Sequence, residues 1–260
     1  MTSIALEDVG VSFPIYGGSA RSLRNRLVSS ATGGRIGSDQ RARTCVEALA
    51  GITLKVEHGE RVALIGHNGA GKTTLLRVLA GIYPPLAGRI RIEGRIAPIF
   101  DIGLGMDPDA TGYDNIRIRG LYLGLSRREV ESRIDDIAEF TELGSFLDMP
   151  MRTYSAGMQT RLAFAVSTSV EPEILLLDEG IGAGDASFMR RANQRLRSFV
   201  ERSGILVLAS HDDGLLAGLC GRAIRLEHGR MVDDGPFAEV MERYRALRDA
   251  AALADGDVGP

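Results

Sequence analysis

Three stretches of the chain are apolar with no alternation: Val62–Ile65, Ile174–Leu177 and Ile205–Ala209. A strand with one wet face alternates, whereas a strand without polar positions is buried on both sides, as in a parallel sheet covered by helices. Ile4–Phe13 reads as a further strand. Val46–Val56 and Arg61–Ile65 read as a second strand set, and Ile96–Phe100 as a short strand. Between the first and second apolar runs the period changes to that of helices, over Tyr113–Leu123, Arg127–Phe140 and Ala156–Ser169. The expected fold is therefore α/β: a mostly parallel core sheet, an N-terminal β part, and a helical subdomain inserted at about 103–170. One domain is expected over 1–245, followed by a short tail at 246–260 that frays from Ala250 onward.

One segment interrupts this pattern. Residues 17–44 carry six arginines (Arg21, Arg24, Arg26, Arg35, Arg41 and Arg43) against the single acid Asp39, while the rest of the chain is net acidic. Leu23 and Leu27 lie four apart with Ala20 three before, the spacing of a short amphipathic helix. Ser29–Ser38, rich in serine and glycine, reads as flexible loop.

Composition narrows the class. At 260 residues, 44% hydrophobic and 25% charged, the chain can bury an ordinary core. No run of eighteen apolar residues exists, so no transmembrane helix is expected. Met1–Asp8 lacks the basic head and apolar stretch of a secretory signal. Cys45 and Cys220 are too few for a disulfide scaffold or a zinc site, which points to a reducing cytosol. A net charge of −3 argues against a nucleic-acid partner. Among 31 basic residues only Lys55 and Lys72 are lysines, so each needs a reason.

Lys72 has one. The strand Val62–Ile65 runs into Gly66-His67-Asn68-Gly69-Ala70-Gly71-Lys72-Thr73, a full G-x-x-x-x-G-K-[ST] loop. Glycines let backbone N–H groups curl around phosphates, and a helix beginning at Lys72 aims its positive end at them. Lys72 reaches the outer phosphates of ATP and Thr73 offers a hydroxyl to Mg²⁺. Thr74 opens an apolar helix read to Ile82, ahead of Pro84-Pro85. Asp178-Glu179 follows the second buried run: an aspartate there can hold Mg²⁺, and Glu179 is placed to polarise an attacking water. Ser155-Ala156-Gly157-Met158-Gln159 heads a helix and makes a second anion site from the serine hydroxyl and free N–H groups. His211 directly follows the third buried run, where a parallel sheet presents ligands, and is expected to contact the γ-phosphate. His58, His67 and His228 have no such context, and no metal-ligand spacing joins the four histidines.

Taken together, these residues resemble the ATP-binding subunit of ABC transporters, over roughly residues 3–240. The resemblance implies that Ser155–Gln159 is a variant signature whose Ser155, Ala156, Gly157 and Met158 touch ATP held by a second copy, so that hydrolysis needs a head-to-tail dimer. Tyr154–Met158 with Arg161–Ala165, Gly182–Phe188, and Asp107–Ile116 resemble the subfamily exporting O-antigen, teichoic acid and related lipid-linked polysaccharides. The basic insertion also occurs there. For this chain the resemblance implies an integral-membrane permease partner, a place on the cytoplasmic membrane face, and a lipid-linked glycan, with a cell-wall galactan precursor as one plausible cargo. The usual Q-loop glutamine is missing; Asp101 stands nearest its place and is a doubtful Mg²⁺ ligand. Phe13 or Tyr16 would stack on adenine, and distance from the strand favours Phe13. The carbohydrate-binding domain that some members carry at the C-terminus is not expected. The alternative, a soluble ABC ATPase acting on a macromolecular complex, usually brings paired ATPase domains or long coiled coils, and neither fits this length. Glu179 and His211 argue for turnover rather than nucleotide sensing.

Overall fold

The computed structural model describes residues 2–14, 36–38, 44–100, 103, 105–178 and 186–256. The chain forms two compact units, Met1–Gly94 with Val207–Pro260, and Arg95–Leu206.

In the first unit, β1 (Ser3–Pro14), β2 (Ile36–Ser38), β3 (Thr44–Glu57) and β5 (Ala87–Glu93) form an antiparallel sheet in the order β2-β3-β1-β5. Register shifts near Val9 mark irregularities in the β1–β3 ladder, which increase local twist. A second ladder begins with β4 (Arg61–Ile65), which runs parallel to β9 (Arg222–Glu227). β9 turns back antiparallel into β10 (Arg230–Pro236). Ile4, Ile52, Val56, Val62 and Leu64 are fully enclosed, as are Leu75 and Leu76 of helix α1 (Lys72–Leu79). Arg222 fastens β9 to its surroundings: its guanidinium bonds Asp234 at 2.7 Å, Glu60 at 2.8 Å and the Lys55 carbonyl at 2.9 Å. The two carboxylates, Asp234 foremost and then Glu60, hold its pKa above the ordinary guanidinium value.

In the second unit, β6 (Ile96–Ile99) runs parallel to β7 (Ile174–Asp178), pairing Ile96 with Ile174 and Ile99 with Leu177. β8 (Ile205–Ala209), buried at every position, enters this unit only with Ile205 and Leu206, Val207–Ala209 being counted in the first; the Ile205 N–H donates to the Glu173 carbonyl at 2.9 Å. Helices α2 (Gly112–Tyr122), α3 (Arg127–Glu131), α4 (Ile134–Thr141), α5 (Ala156–Ser167) and α6 (Ala186–Arg202) make up most of the rest. α5 packs on α4 and on α2. Two buried polar side chains organise this region. Asn115 accepts from Asp107 N at 2.7 Å and donates to the Asp107 and Thr111 carbonyls, so the 107–115 stretch closes on itself. Arg119, only 2% exposed, donates to the Ser167 hydroxyl at 2.9 and 3.2 Å, and burial pulls its pKa down to about 10.

The strand expectations hold to within two residues at each end, while several other features differ. The helix expected over Arg127–Phe140 is two helices. Ser132 Oγ donates to the Glu129 carbonyl at 2.8 Å, and Arg133 NH1 donates to the same oxygen at 3.0 Å. Side chains take over the acceptor that a continuous helix would use. Ile36–Ser38, expected as loop, pairs with Thr44–Val46. The C-terminal helix α8 (Phe237–Gly256) continues past Ala250, where fraying was expected, as far as Gly256. It follows a seven-residue helix α7 (Asp213–Leu219). The amphipathic helix expected around Leu23 and Leu27 lies outside the described residues. No helix among the described residues is long and apolar enough to cross a membrane.

Candidate functional site

The phosphate-type loop is built by burial first and glycine second. β4 is buried from Val62 to Ile65, so the chain leaves the sheet from a fixed point. Gly66 takes φ 144°, and a Cβ there would sit 2.3 Å from the Leu226 carbonyl oxygen. Only glycine fits. Lys72, 8% exposed, folds back across the loop and donates Nζ to the Gly66 carbonyl at 2.6 Å and the His67 carbonyl at 3.2 Å. Helix α1 starts from Gly71 in the left-handed region, with no side chain capping its first N–H groups. Those donors and the aligned peptide dipoles make an anion site. Thr73 and Thr74 stand partly exposed on the first turn of α1. His67, Asn68 and Gly69 form the exposed crest of the loop, and Ala70 N closes it by donating to the His67 carbonyl at 3.1 Å.

A second element braces this loop, and the sequence reading missed it. The tip of the β9–β10 hairpin, His228-Gly229, is threaded between the loop and β3. Gly229 N donates to the Ala70 carbonyl at 2.8 Å, and its own carbonyl accepts from Ala50 N at 2.9 Å. A side chain at Gly229 would meet the Ala48 carbonyl at 2.5 Å. The His228 and His67 rings lie 5.1 Å apart. The available signal was the glycine of His228-Gly229, a turn former between Arg222–Glu227 and Arg230–Pro236.

Phe13 closes β1 opposite Val46 and is 36% exposed. Its ring meets Tyr83 edge-on, with centroids 5.0 Å apart, and Arg77 of α1 lies 5.8 Å above the Tyr83 ring. His211 is exposed, directly after the buried Ser210. Ser210 Oγ accepts from Asp212 N at 3.0 Å, and Asp212 caps α7 by accepting from Gly214 N and Leu215 N. These turns fix where the backbone at His211 leaves the strand.

In the second unit, Asp178 is the half-buried end of β7 after four buried residues. Ser155 and Ala156 are exposed at the start of α5, with Gly157 and Met158 partly so. Ser155 Oγ accepts from Met158 N at 3.3 Å, and a Cβ on Gly157 would meet nothing nearer than that hydroxyl at 3.9 Å. Tyr154 is buried just before, donating its hydroxyl to the Phe146 carbonyl at 2.6 Å. Glu179, Asp101 and Tyr16 lie outside the described residues.

A buried strand ending in a glycine-shaped, lysine-bridged loop on a helix start defines a nucleotide-binding ATPase cassette. The chain belongs to the ABC transporter family, whose model matches residues 49–182. It is 50% identical over 234 residues to the O-antigen export system ATP-binding protein RfbE of Yersinia enterocolitica, covering 90% of this chain and 98% of that protein. It is 39% identical to the O-antigen export system ATP-binding protein RfbB of Myxococcus xanthus, over 98% of this chain and 57% of that longer relative. The teichoic acids export ATP-binding protein TagH of Enterococcus faecalis is 36% identical, over 77% of this chain and 44% of its own length. Among solved structures, the dimeric ATP-binding cassette MJ0796 bound to ADP and Pi matches with a TM-score of 0.64 at 20% identity, covering 90% of this chain and 98% of that one. At that identity the likeness is one of fold. The expected ABC-type α/β fold is thus the one found, and the chain is an ABC-type ATPase.

Proposed function

We propose that this chain is the ATP-hydrolysing subunit that powers export of a lipid-linked polysaccharide through an integral-membrane permease. The observation that carries this reading is the 50% identity to an O-antigen export ATP-binding protein along 98% of that protein's length. In this reading Gly66–Thr74 cradle the ATP phosphates, Lys72 neutralises the outer ones, and Phe13 stacks on adenine. Thr73 and Asp178 supply hydroxyl and carboxylate oxygens, the donors a hard cation prefers, so they fit Mg²⁺. When bound, Mg²⁺ offsets charge between the outer phosphates. Glu179 takes the proton of the attacking water and His211 steadies the γ-phosphate. Ser155–Met158, exposed and open, serve ATP held by a second copy. Asp101, nearest the place of the missing Q-loop glutamine, would help order Mg²⁺ and signal towards the permease, and the 17–44 insertion would contact the cargo or the membrane. The cargo class is a glycan on a lipid carrier, a cell-wall galactan precursor among the candidates.

The test is reconstitution with the permease in vesicles. Lipid-linked glycan should stimulate ATPase activity, and Glu179→Gln should lower turnover by roughly 10²-fold or more while leaving ATP bound. ATPase indifferent to any lipid-linked glycan would remove the export assignment.

A further inference from the structure

The second unit carries a groove of about 590 Å³ bounded by the α3–α4 turn, the residues after α5, and one face of α6. It shares no residue with the proposed nucleotide site. Four guanidinium groups line it, those of Arg133, Arg191, Arg195 and Arg202, against two carboxylates, Asp136 and Glu171. On α6 the lining positions fall at three- and four-residue steps, so they share one side of the helix.

The arginines divide into two kinds. Arg191 lies 2.7 Å from a Glu142 oxygen, and Arg195 lies 2.8 Å from Asp136. Both also lean on Phe140, at 5.5 and 4.4 Å from its ring centroid. Their charge is answered within the protein. Arg133 and Arg202 bond neutral acceptors: Arg133 donates to the Ser169 and Glu129 carbonyls, each at 3.0 Å, and Arg202 to the Ser198 carbonyl at 3.2 Å. A carbonyl orients a guanidinium without cancelling its charge. The Glu129 carboxylate also lies within electrostatic reach of Arg133, but the groove lining itself, four guanidinium groups against Asp136 and Glu171, is net positive.

Arg133 is half-buried and held by two anchors, so little side-chain freedom remains to be lost on binding. A planar guanidinium fixed in this way suits phosphate oxygens, with which it makes paired charge-assisted hydrogen bonds. The volume is that of a small-molecule site rather than a protein interface. We propose that this groove binds a phosphate-bearing anion through Arg133 and Arg202, independently of the nucleotide at the phosphate loop. The same phosphate chemistry is offered by a soluble phosphorylated compound and by a phospholipid headgroup.

The test uses the full chain with the phosphate loop saturated by a non-hydrolysable ATP analogue and Mg²⁺. Equilibrium dialysis with labelled pyrophosphate reads the soluble source, and co-flotation with vesicles of phosphatidylglycerol and phosphatidylcholine, against phosphatidylcholine alone, reads the headgroup source. The expected result is binding to at least one probe that weakens about tenfold in Arg202→Gln and again in Arg133→Gln, with nucleotide affinity unchanged. Arg202 is exposed, so its variant keeps the test valid if Arg133→Gln perturbs folding. Pyrophosphate binding alone assigns a soluble ligand, and capture on phosphatidylglycerol alone assigns the headgroup. No binding to either probe, or binding that both variants leave unchanged, overturns the proposal.

Discussion

Two helix starts in this protein are shaped for anions, and they are built in opposite ways. At α1 the loop is sealed: Gly66 is wedged under the Leu226 carbonyl, Lys72 bridges two loop carbonyls from a buried position, and Gly229 ties the loop to β3. At α5 the start is open: Ser155 and Ala156 face solvent and one hydroxyl caps one N–H. A site whose shape is set by its own backbone is organised before its ligand arrives. A start that ends in exposed donors and open space around Gly157 has no shape of its own, and under the proposed function it would be completed by ATP on a second copy. The same dipole physics thus meets an enclosed loop in one place and an open helix end in the other.

The largest expected effect lies at the sealed start. Lys72→Ala should weaken ATP binding about a hundredfold, since a buried cation and its charge-assisted bonds are lost together. Calorimetric titration checks this, and retained micromolar affinity would break the assignment. Next comes a matched pair. Gly66→Ala should destabilise the fold by about 2–3 kcal/mol through backbone strain. Gly157→Ala should leave stability unchanged or raise it by up to about 1 kcal/mol, because alanine favours a helix. Chemical denaturation of both variants measures the contrast. In the same Gly157 variant, ATPase of the assembled transporter should nevertheless fall; undiminished turnover would make the α5 start an ordinary helix end. Ser155→Ala should cost about 1 kcal/mol as a lost cap.

The smallest effect is a control at a third helix start. α3 opens with a full capping box, in which Ser126 Oγ accepts from Glu129 N and the Glu129 carboxylate accepts from Ser126 N at 2.7 Å. The bonds with Ser126 hold the Glu129 pKa below its usual value. Its contribution is therefore full above the ordinary glutamate range and is lost as pH falls through the depressed value. Thermal midpoints of wild type and Glu129→Gln should differ slightly at neutral pH and converge in acid. A constant gap would assign the cap to something other than the carboxylate.

How much of this was legible in the sequence follows the same division. Val62–Ile65 and Ile205–Ala209 matched their strands at nearly every residue because burial on both faces leaves no polar position to confuse the reading. The phosphate loop was legible because its glycines and lysine are fixed by local chemistry. What escaped was set by distant contacts. The Gly229 brace depends on Ala50 and Ala70, far away in the chain. β2 depends on pairing with Thr44–Val46; the break after Glu131 is instead local, made by the Ser132 and Arg133 side chains at the Glu129 carbonyl, which apolar periodicity does not read. β5 and β10 have no buried position: in β5 only Ile90 and Ile92 alternate with charged residues, and in β10 the apolar residues are the adjacent Met231 and Val232, so neither stood out as the fully apolar runs did.

The corner formed by Phe13, Tyr83 and Arg77 has one further use. The chain contains no tryptophan. An indole placed at position 13 would stand about one-third exposed, at the current side chain's place beside Tyr83 and near the helix that follows the loop. Its emission would have no background from any other indole. Excited beyond the absorption of the six tyrosines, that indole would report quenching, polarity and access to solvent at a single corner.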